Sequence, residues 1–250
     1  MYNLAMEKVA TAAVGKVKLY GSKGRYFVAS MMAGAFVGLG ILLIFSISGM
    51  LADSSAKSIV MGISFGIALS LVIMVGSELF TGNNFVMTIG SMNKSVKWKD
   101  TIETWVVCYI GNLVGALVVS AFFVMANVGM DNGAITALAG AATAKAAMPA
   151  GVLIFRGILC NILVCLAVFC SIKMENEVAK LIMIWWCLFA FITSSYEHSI
   201  ANMTIYFTSI LGGADVSALQ MIYNLGFVTI GNMIGGILLG ASYYYLGSKK

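Results

Sequence analysis

His198 is the only histidine of the chain, and it lies within an apolar segment that runs from about residue 180 to residue 211. The polar run Ser194-Ser195-Tyr196-Glu197-His198-Ser199 interrupts the segment at this point. An ionisable side chain among apolar residues costs free energy, so a lone histidine in such a place is expected to serve function rather than packing. An imidazole can offer a small anion either a proton or a strong hydrogen bond.

A second polar constellation repeats along the chain. Glu78 is followed five residues later by Asn83, and Glu197 is followed five residues later by Asn202, at an offset of 119 residues. The hexapeptide that begins at Ile110 recurs at an offset of 120 residues. Two matches at nearly one offset indicate an internal repeat.

The elements that must position these residues are membrane-spanning helices. Hydrophobic residues make up 60 % of the 250 residues and charged residues 10 %, with a single proline, whereas a soluble domain carries about 25 % charged residues. Apolar stretches of about 20 residues each span a bilayer. Six segments qualify, near 26–48, 58–92, 101–127, 151–172, 180–211 and 220–246.

Two of the six segments are too long for one span. The second, continued as a helix, would measure about 52 Å against a hydrocarbon core of about 30 Å. It contains Gly82-Asn83-Asn84, residues that favour turns. We therefore predict that the second and fifth helices are broken, at 82–84 and at 194–199, and that half-helices restart near 84–92 and 200–210.

The repeat must be inverted, because each half, about 26–127 and 151–246, holds three spans. We predict an all-α membrane protein with six transmembrane helices in one domain, residues 1–250. The N-termini of the two half-helices would meet near the midplane, and their positive dipole ends favour an anion. We expect four polar residues to be structural at the helix breaks: Glu78, Glu197, Asn112 and Asn202. The carboxylates would cap the half-helix amides, although cation passage is an alternative interpretation of them.

Basic residues predict the orientation. They cluster in residues 1–25, in the loops after the second and fourth spans, and at Lys249 and Lys250, whereas the alternate loops hold only Lys57 and Lys145. The positive-inside rule predicts that both termini lie in the cytoplasm. We expect the protein to reside in the inner (plasma) membrane. The pattern of residues 1–25 indicates an amphipathic segment that lies on the membrane surface. We expect it, with a flexible loop at 81–84, to gate or modulate the pathway.

Four stretches resemble the motifs of formate–nitrite transporters: Glu78-Leu79-Phe80-Thr81, Arg156-Gly157-Ile158-Leu159-Cys160-Asn161, Glu197-His198-Ser199-Ile200-Ala201-Asn202-Met203 and Gly231-Asn232-Met233-Ile234-Gly235-Gly236. The resemblance implies an aquaporin-like fold and a homopentamer in which each protomer has its own pore. The pore centre implied is Thr81, His198 and Asn232 with Asn161 close by, and the vestibule lysine is Lys145. The implied hydrophobic constrictions are Phe65, Leu69, Leu79, Phe80, Val164 and Phe191.

The resemblance implies transport of small monovalent anions of weak acids, and the chain as a whole looks closest to the hydrosulfide channels of the family. Formate or nitrite, by channel or proton-coupled transport, is the alternative. We expect His198 and Thr81 to meet at the midplane and to give the anion a proton or a hydrogen bond between apolar constrictions.

Functions of other classes are less compatible with the sequence. A membrane redox enzyme with two haems or a metal cluster needs more ligands than one histidine supplies, and the paired Asn-Pro-Ala loops of a water or glycerol channel cannot occur with Pro149 as the only proline. We expect no enzymatic activity, no cofactor, no metal and no nucleic-acid partner. The pair Trp185-Trp186 fits an interfacial aromatic belt.

Overall fold

The computed structural model describes residues 2–127, 129 and 132–248, so Lys249 and Lys250 lie outside the described residues. Helices form all of the regular structure of this part of the chain. They are α1 (Tyr2–Tyr20), α2 (Lys23–Met50), α3 (Lys57–Ser64), α4 (Gly66–Leu71), a π-helical turn (Val72–Gly76), α5 (Phe80–Met92), α6 (Trp98–Met125), α7 (Ala134–Ala146), α8 (Ala150–Lys173), α9 (Glu177–Thr193), α10 (Ser199–Leu211) and α11 (Ala218–Gly247).

The predicted all-α membrane fold is confirmed. Five helical stretches among the described residues are long and apolar enough to cross a membrane, namely α2, the stretch Lys57–Gly76, α6, α8 and α11. The remaining predicted span is divided between α9 and the shorter apolar helix α10. The second span likewise continues beyond its break as α5. Both predicted broken helices are therefore present.

The first break lies earlier in the chain than predicted. The extended residues are Ser77 and Leu79, and α5 already begins at Phe80, so Gly82-Asn83-Asn84 are helical and buried. The prediction of a flexible loop at 81–84 is therefore wrong. The second break, Ser194–His198, falls where the polar run placed it.

Glycines allow two pairs of spans to approach closely. A Cβ at Gly34 or Gly115 would collide with backbone atoms of the partner helix, so α2 and α6 touch through their main chains. The same holds for Gly157 and Gly231 in the pair of α8 and α11. Small residues at such crossings bring helix backbones together in a membrane, and the two pairs hold the two halves of the repeat around the breaks.

Two further helices, α1 and α7, lie beside the breaks. Helix α1 buries Val9, Ala10 and Ala13, and a Cβ at Gly90 of α5 would collide with Ala13. The predicted surface segment is thus packed against α5. Helix α7 packs against α10 and ends at Ala146.

Candidate transport site

The first break is held by Asn112 of α6. Its Oδ1 accepts a hydrogen bond from the backbone N–H of Phe80, the first residue of α5, at 3.0 Å. Its Nδ2 donates to the carbonyls of Ser30, at 2.7 Å, and Glu78, at 2.9 Å. One buried amide thus satisfies backbone groups on both sides of the break, which an unwound segment at membrane depth requires.

The second break is held in the same way by Asn232 of α11. Its Oδ1 accepts from the N–H of Ser199, the first residue of α10, at 2.9 Å. Its Nδ2 donates to the carbonyls of Gly157, at 2.8 Å, and Glu197, at 2.9 Å. Asn112 and Asn232 are therefore equivalent anchors. The Asn232 side chain, expected at the pore centre, is occupied by backbone partners behind the break.

The expected capping of half-helix amides by carboxylates is wrong, because the asparagines do this. Glu78 instead accepts hydrogen bonds from Lys16 Nζ, at 3.0 and 2.9 Å, and from Asn83 Nδ2, at 2.9 Å. Lys16 projects from α1 and Asn83 from the first turn of α5. In the sequence, Lys16 stands out only as part of a basic segment, and no signal there marks it as the partner of Glu78.

Glu197 has the matching environment at the second break. It accepts from Lys145 Nζ at 2.6 Å and from Asn202 Nδ2 at 2.7 Å. The side chains of Lys145 and Glu197 are 16 % and 2 % exposed, so Lys145 is a partly buried ion-pair partner in the last turn of α7, not a residue of an open loop. At each break a glutamate therefore contacts one lysine and one asparagine.

His198 and Thr81 meet. The His198 Nε2 and the Thr81 Oγ1 are 2.9 Å apart, and both residues are buried. His198 Nδ1 accepts a hydrogen bond from the backbone N–H of Ala201, at 3.1 Å, and so caps α10. Because Nδ1 must then carry a lone pair, the neutral tautomer with its proton on Nε2 satisfies both contacts, and Nε2–H donates to Thr81.

Asn161 lies behind Thr81. Its Nδ2 is within hydrogen-bonding distance of the carbonyls of Thr81, at 3.2 Å, and Asn232, at 2.6 Å, and of Asn84 Oδ1, at 3.3 Å. The thiol of Cys165 also donates to the Thr81 carbonyl, at 3.5 Å. Asn161 thus positions the backbone that carries Thr81.

Leu79 and His198 are equivalent positions of the repeat. Leu79 precedes α5 with φ −106° and ψ 123°, and His198 precedes α10 with φ −116° and ψ 115°. The offset is the same 119 residues that separates Glu78 from Glu197. The two half-helices therefore present one apolar and one titratable side chain at the same place.

Three spaces adjoin these side chains. The Lys16 cavity, of about 430 Å³, is lined by Lys16, Glu78, Leu69 and Leu79 among others. The Lys145 cavity, of about 270 Å³, is lined by Lys145, Glu197, Phe191 and His198 among others. Between them lies a central chamber of about 10 Å³. That is the lower limit for holding one water molecule, so the chamber is closed.

Most of the expected constriction residues line the central chamber. They are Phe65, Leu69, Leu79, Val164 and Phe191, with His198 in the same wall. Leu69 and Leu79 also face the Lys16 cavity, and Phe191 also faces the Lys145 cavity. Phe80 differs, because its ring packs edge-on against Tyr109 with centroids 5.0 Å apart and is not among the chamber residues.

Two cavities, an inverted pair of broken helices and a buried polar pair between apolar walls define a multi-pass membrane protein of the broken-helix, inverted-repeat class. Comparison with known proteins identifies the family. The sequence profile of the formate/nitrite transporter family matches residues 3–246, and the chain belongs to this family. The predicted family is confirmed.

Relatives and solved structures agree with the assignment. A protein of Salmonella typhimurium named nitrite transporter NirC is 44 % identical over 90 % of this chain and 84 % of its own length. A solved structure described as an FNT family ion channel has a TM-score of 0.91 at 39 % identity and covers 97 % of this chain and 98 % of its own. A pentameric formate channel with formate bound has a TM-score of 0.78 at 23 % identity, covering 91 % of this chain and 98 % of its own. At that identity it shows the shared fold alone.

Proposed function

We propose that the chain forms a passive pathway for small monovalent anions of weak acids. The observation that carries the proposal is His198, which lies in the wall of a closed apolar chamber between two cavities and has Thr81 Oγ1 2.9 Å from its Nε2. The pathway runs from the Lys16 cavity past Leu69 and Leu79, through the chamber, and past Phe191 into the Lys145 cavity.

The chemistry of the chamber selects weak-acid anions. Stripping a bare anion of water in an apolar passage is costly, whereas the neutral conjugate acid crosses at small cost. Nε2–H of His198 is donated to Thr81 Oγ1, and an anion that reaches the chamber wall can replace this acceptor. The Thr81 hydroxyl hydrogen has no other partner among the described residues. The anion can take up a proton from a hydronium ion of the cavity water, cross as the neutral acid and release the proton on the other side.

The half-helices and the lysines favour the approach of an anion. The N-termini of α5 and α10 point towards the centre of the protomer and carry partial positive charge. Lys16 and Lys145 face the two cavities, but each is paired with a glutamate. We therefore assign to Lys145 a weaker electrostatic attraction than an unpaired vestibule lysine would exert.

Nitrite is the substrate to test first. The Salmonella relative with 44 % identity is named a nitrite transporter. Hydrosulfide is the second candidate, because the chamber of about 10 Å³ favours the smallest permeant. Formate completes the set that the family name suggests.

The test is a flux panel in proteoliposomes with nitrite, hydrosulfide, formate and chloride. Weak-acid anions should pass and chloride, which has no neutral form near neutral pH, should not. Passage of chloride as fast as nitrite would contradict the proposal. Osmotic shrinkage in sucrose distinguishes a water or neutral-solute channel, which would accelerate water movement without carrying any of the anions.

His198→Asn tests the central pair. An asparagine oxygen can still accept from the N–H of Ala201 and cap α10, but the donor next to Thr81 is lost. Hydrogen bonds to charged groups contribute about 1.5–3 kcal/mol, so anion flux should fall about 10- to 100-fold at unchanged stability. Flux equal to that of the parent protein, with unchanged pH dependence, would remove His198 from the mechanism.

We also propose the assembly and the orientation that the sequence predicts: a homopentamer with one pathway in each protomer, in the inner membrane, with both termini in the cytoplasm. Native mass spectrometry of the detergent-solubilised protein measures the number of protomers, and a number other than five would overturn the pentamer. Protease accessibility of the termini in spheroplasts and in inverted vesicles measures the orientation, and cleavage of a terminus from the outside of spheroplasts would overturn it.

A further inference from the structure

The second span is irregular at Phe65, where α3 ends and α4 begins. The backbone N–H of Phe65 lies 3.1 Å from the Met61 carbonyl and 3.3 Å from the Gly62 carbonyl, and the N–H of Ala68 turns back to the Phe65 carbonyl at 3.0 Å. The Phe65 N–H is thus shared between the i−4 and i−3 carbonyls, and the Ala68 N–H makes an i→i−3 bond. Bonding of the i→i−3 type tightens a helix locally.

Trp185 of α9 contacts the span at this turn. Its indole Nε1–H donates to the Ile63 carbonyl at 2.8 Å. The ring lies against Gly66, where an added Cβ would stand 2.7 Å from Trp185 Cδ1, and stacks on Phe189 with centroids 5.8 Å apart at 14°. Trp185 lies in the middle of α9.

The same two helices build one wall of the central chamber. Phe65, at the irregular turn, meets Phe191 of α9 edge-on with centroids 5.6 Å apart. Leu188, between Trp185 and Phe191 on α9, also lines the chamber. The position of the tightened turn at Ile63–Phe65 therefore sets how far the Phe65 ring reaches towards Phe191, and Trp185 makes a polar contact from α9 at that turn.

We propose that Trp185 is a positioning residue for the constriction: its indole N–H holds the Ile63 carbonyl at the tightened turn of the second span, keeps Phe65 against Phe191 and so sets the size of anion that passes. The hydrogen bond is stable because an indole N–H and a helix carbonyl within a membrane-spanning segment find few other hydrogen-bonding partners. This inference rests on the proposed function, since it concerns the chamber through which the anion passes.

Trp185→Phe removes the N–H and keeps an aromatic ring. Loosening Phe65 should widen the passage, so the flux of acetate relative to nitrite should rise about 2- to 10-fold, the factor that one neutral hydrogen bond of about 0.5–1.5 kcal/mol represents. Trp186→Phe is the matched control, because Trp186 is 52 % exposed and the substitution keeps an aromatic ring beside Trp185. It should leave the ratio unchanged. Equal ratios in the two variants would overturn the proposal.

A double-mutant cycle separates positioning from a general loss of structure. If Trp185 acts through Phe65, then Trp185→Phe should have little further effect on the acetate-to-nitrite ratio in a Phe65→Leu background. Additive effects would overturn the proposed route. Gly66→Ala offers a second perturbation, since its new Cβ pushes the indole away from Ile63, and it should change the ratio in the same direction.

A readout without transport keeps this inference distinct from the proposed function. Hydrogen–deuterium exchange of the peptide that covers residues 61–71, in nanodiscs, should be faster in Trp185→Phe than in Trp186→Phe. Faster exchange in a protein that carries no anion would refute the proposed function and leave the positioning contact intact. Equal exchange would refute the contact itself.

Discussion

The two asparagine anchors give the sharpest quantitative expectation. Asn112→Leu replaces the side chain by an apolar one of similar size and removes three hydrogen bonds, of 3.0, 2.7 and 2.9 Å. The N–H of Phe80 is then buried without its partner, which costs about 1–3 kcal/mol. The carbonyl of Glu78 keeps the Cys108 thiol as a donor.

The expected magnitude follows from these contacts. Two lost hydrogen bonds at a net of about 0.5–1.5 kcal/mol each and one orphaned N–H sum to about 2–6 kcal/mol of unfolding free energy. Asn232→Leu removes an equivalent set and should cost a similar amount. Unfolding of the detergent-solubilised protein by SDS, followed by far-UV circular dichroism, measures both.

Asn93→Leu is the matched control, because Asn93 is exposed and, within the described part of the chain, its side chain hydrogen-bonds the Ser95 hydroxyl alone. It should lie within about 0.5 kcal/mol of the parent protein. A loss below about 1 kcal/mol for Asn112→Leu would refute the anchoring argument. A loss for one asparagine that exceeds the other by more than about 3 kcal/mol would refute their equivalence.

Two further predictions concern burial. Lys145→Met leaves the Glu197 carboxylate buried without its cation and should lower stability by about 3–5 kcal/mol, and adding Glu197→Gln should restore part of the loss in the same SDS assay; no restoration would contradict the pairing. Gly115→Ala forces a Cβ into the α2 backbone and should lower the melting temperature, whereas Gly226→Ala, with open space around it, should leave it equal or higher; the reverse order would contradict the close crossing.

The sequence was sufficient for the fold and for the central pair. Apolar segments, two overlong spans and two matching offsets predicted the broken, inverted spans, and the lone histidine pointed to His198. The turn propensity of Gly82-Asn83-Asn84 led to a wrong position for the first break. Asn83 and Asn84 are tolerated in α5 because tertiary partners hold their side chains, Glu78 for Asn83 and Asn161 for Asn84, and tertiary contacts override propensity.

Other residues could not be found from one sequence. Lys16 and Lys145 lie 129 residues apart, whereas the glutamates they contact lie 119 apart. Lys16 precedes Glu78 by 62 residues and Lys145 precedes Glu197 by 52, and this difference within the halves hides the equivalence of the lysines. A motif also does not state where a side chain points. Asn232 belongs to a motif of the family, yet only its contacts reveal that both ends of its amide bind backbone.

The matched positions of Leu79 and His198 have a consequence for directionality. The two halves of the scaffold are inverted copies, and a lysine, a glutamate and an asparagine lie at both entrances. These shared features alone do not distinguish the two sides of the membrane. At the duplicated position that faces the chamber, the two approaches differ by a leucine on one half-helix and an imidazole on the other, in addition to the different volumes and linings of their cavities. Asymmetry in how the two membrane faces handle an anion can therefore arise from side chains that diverged on a duplicated scaffold.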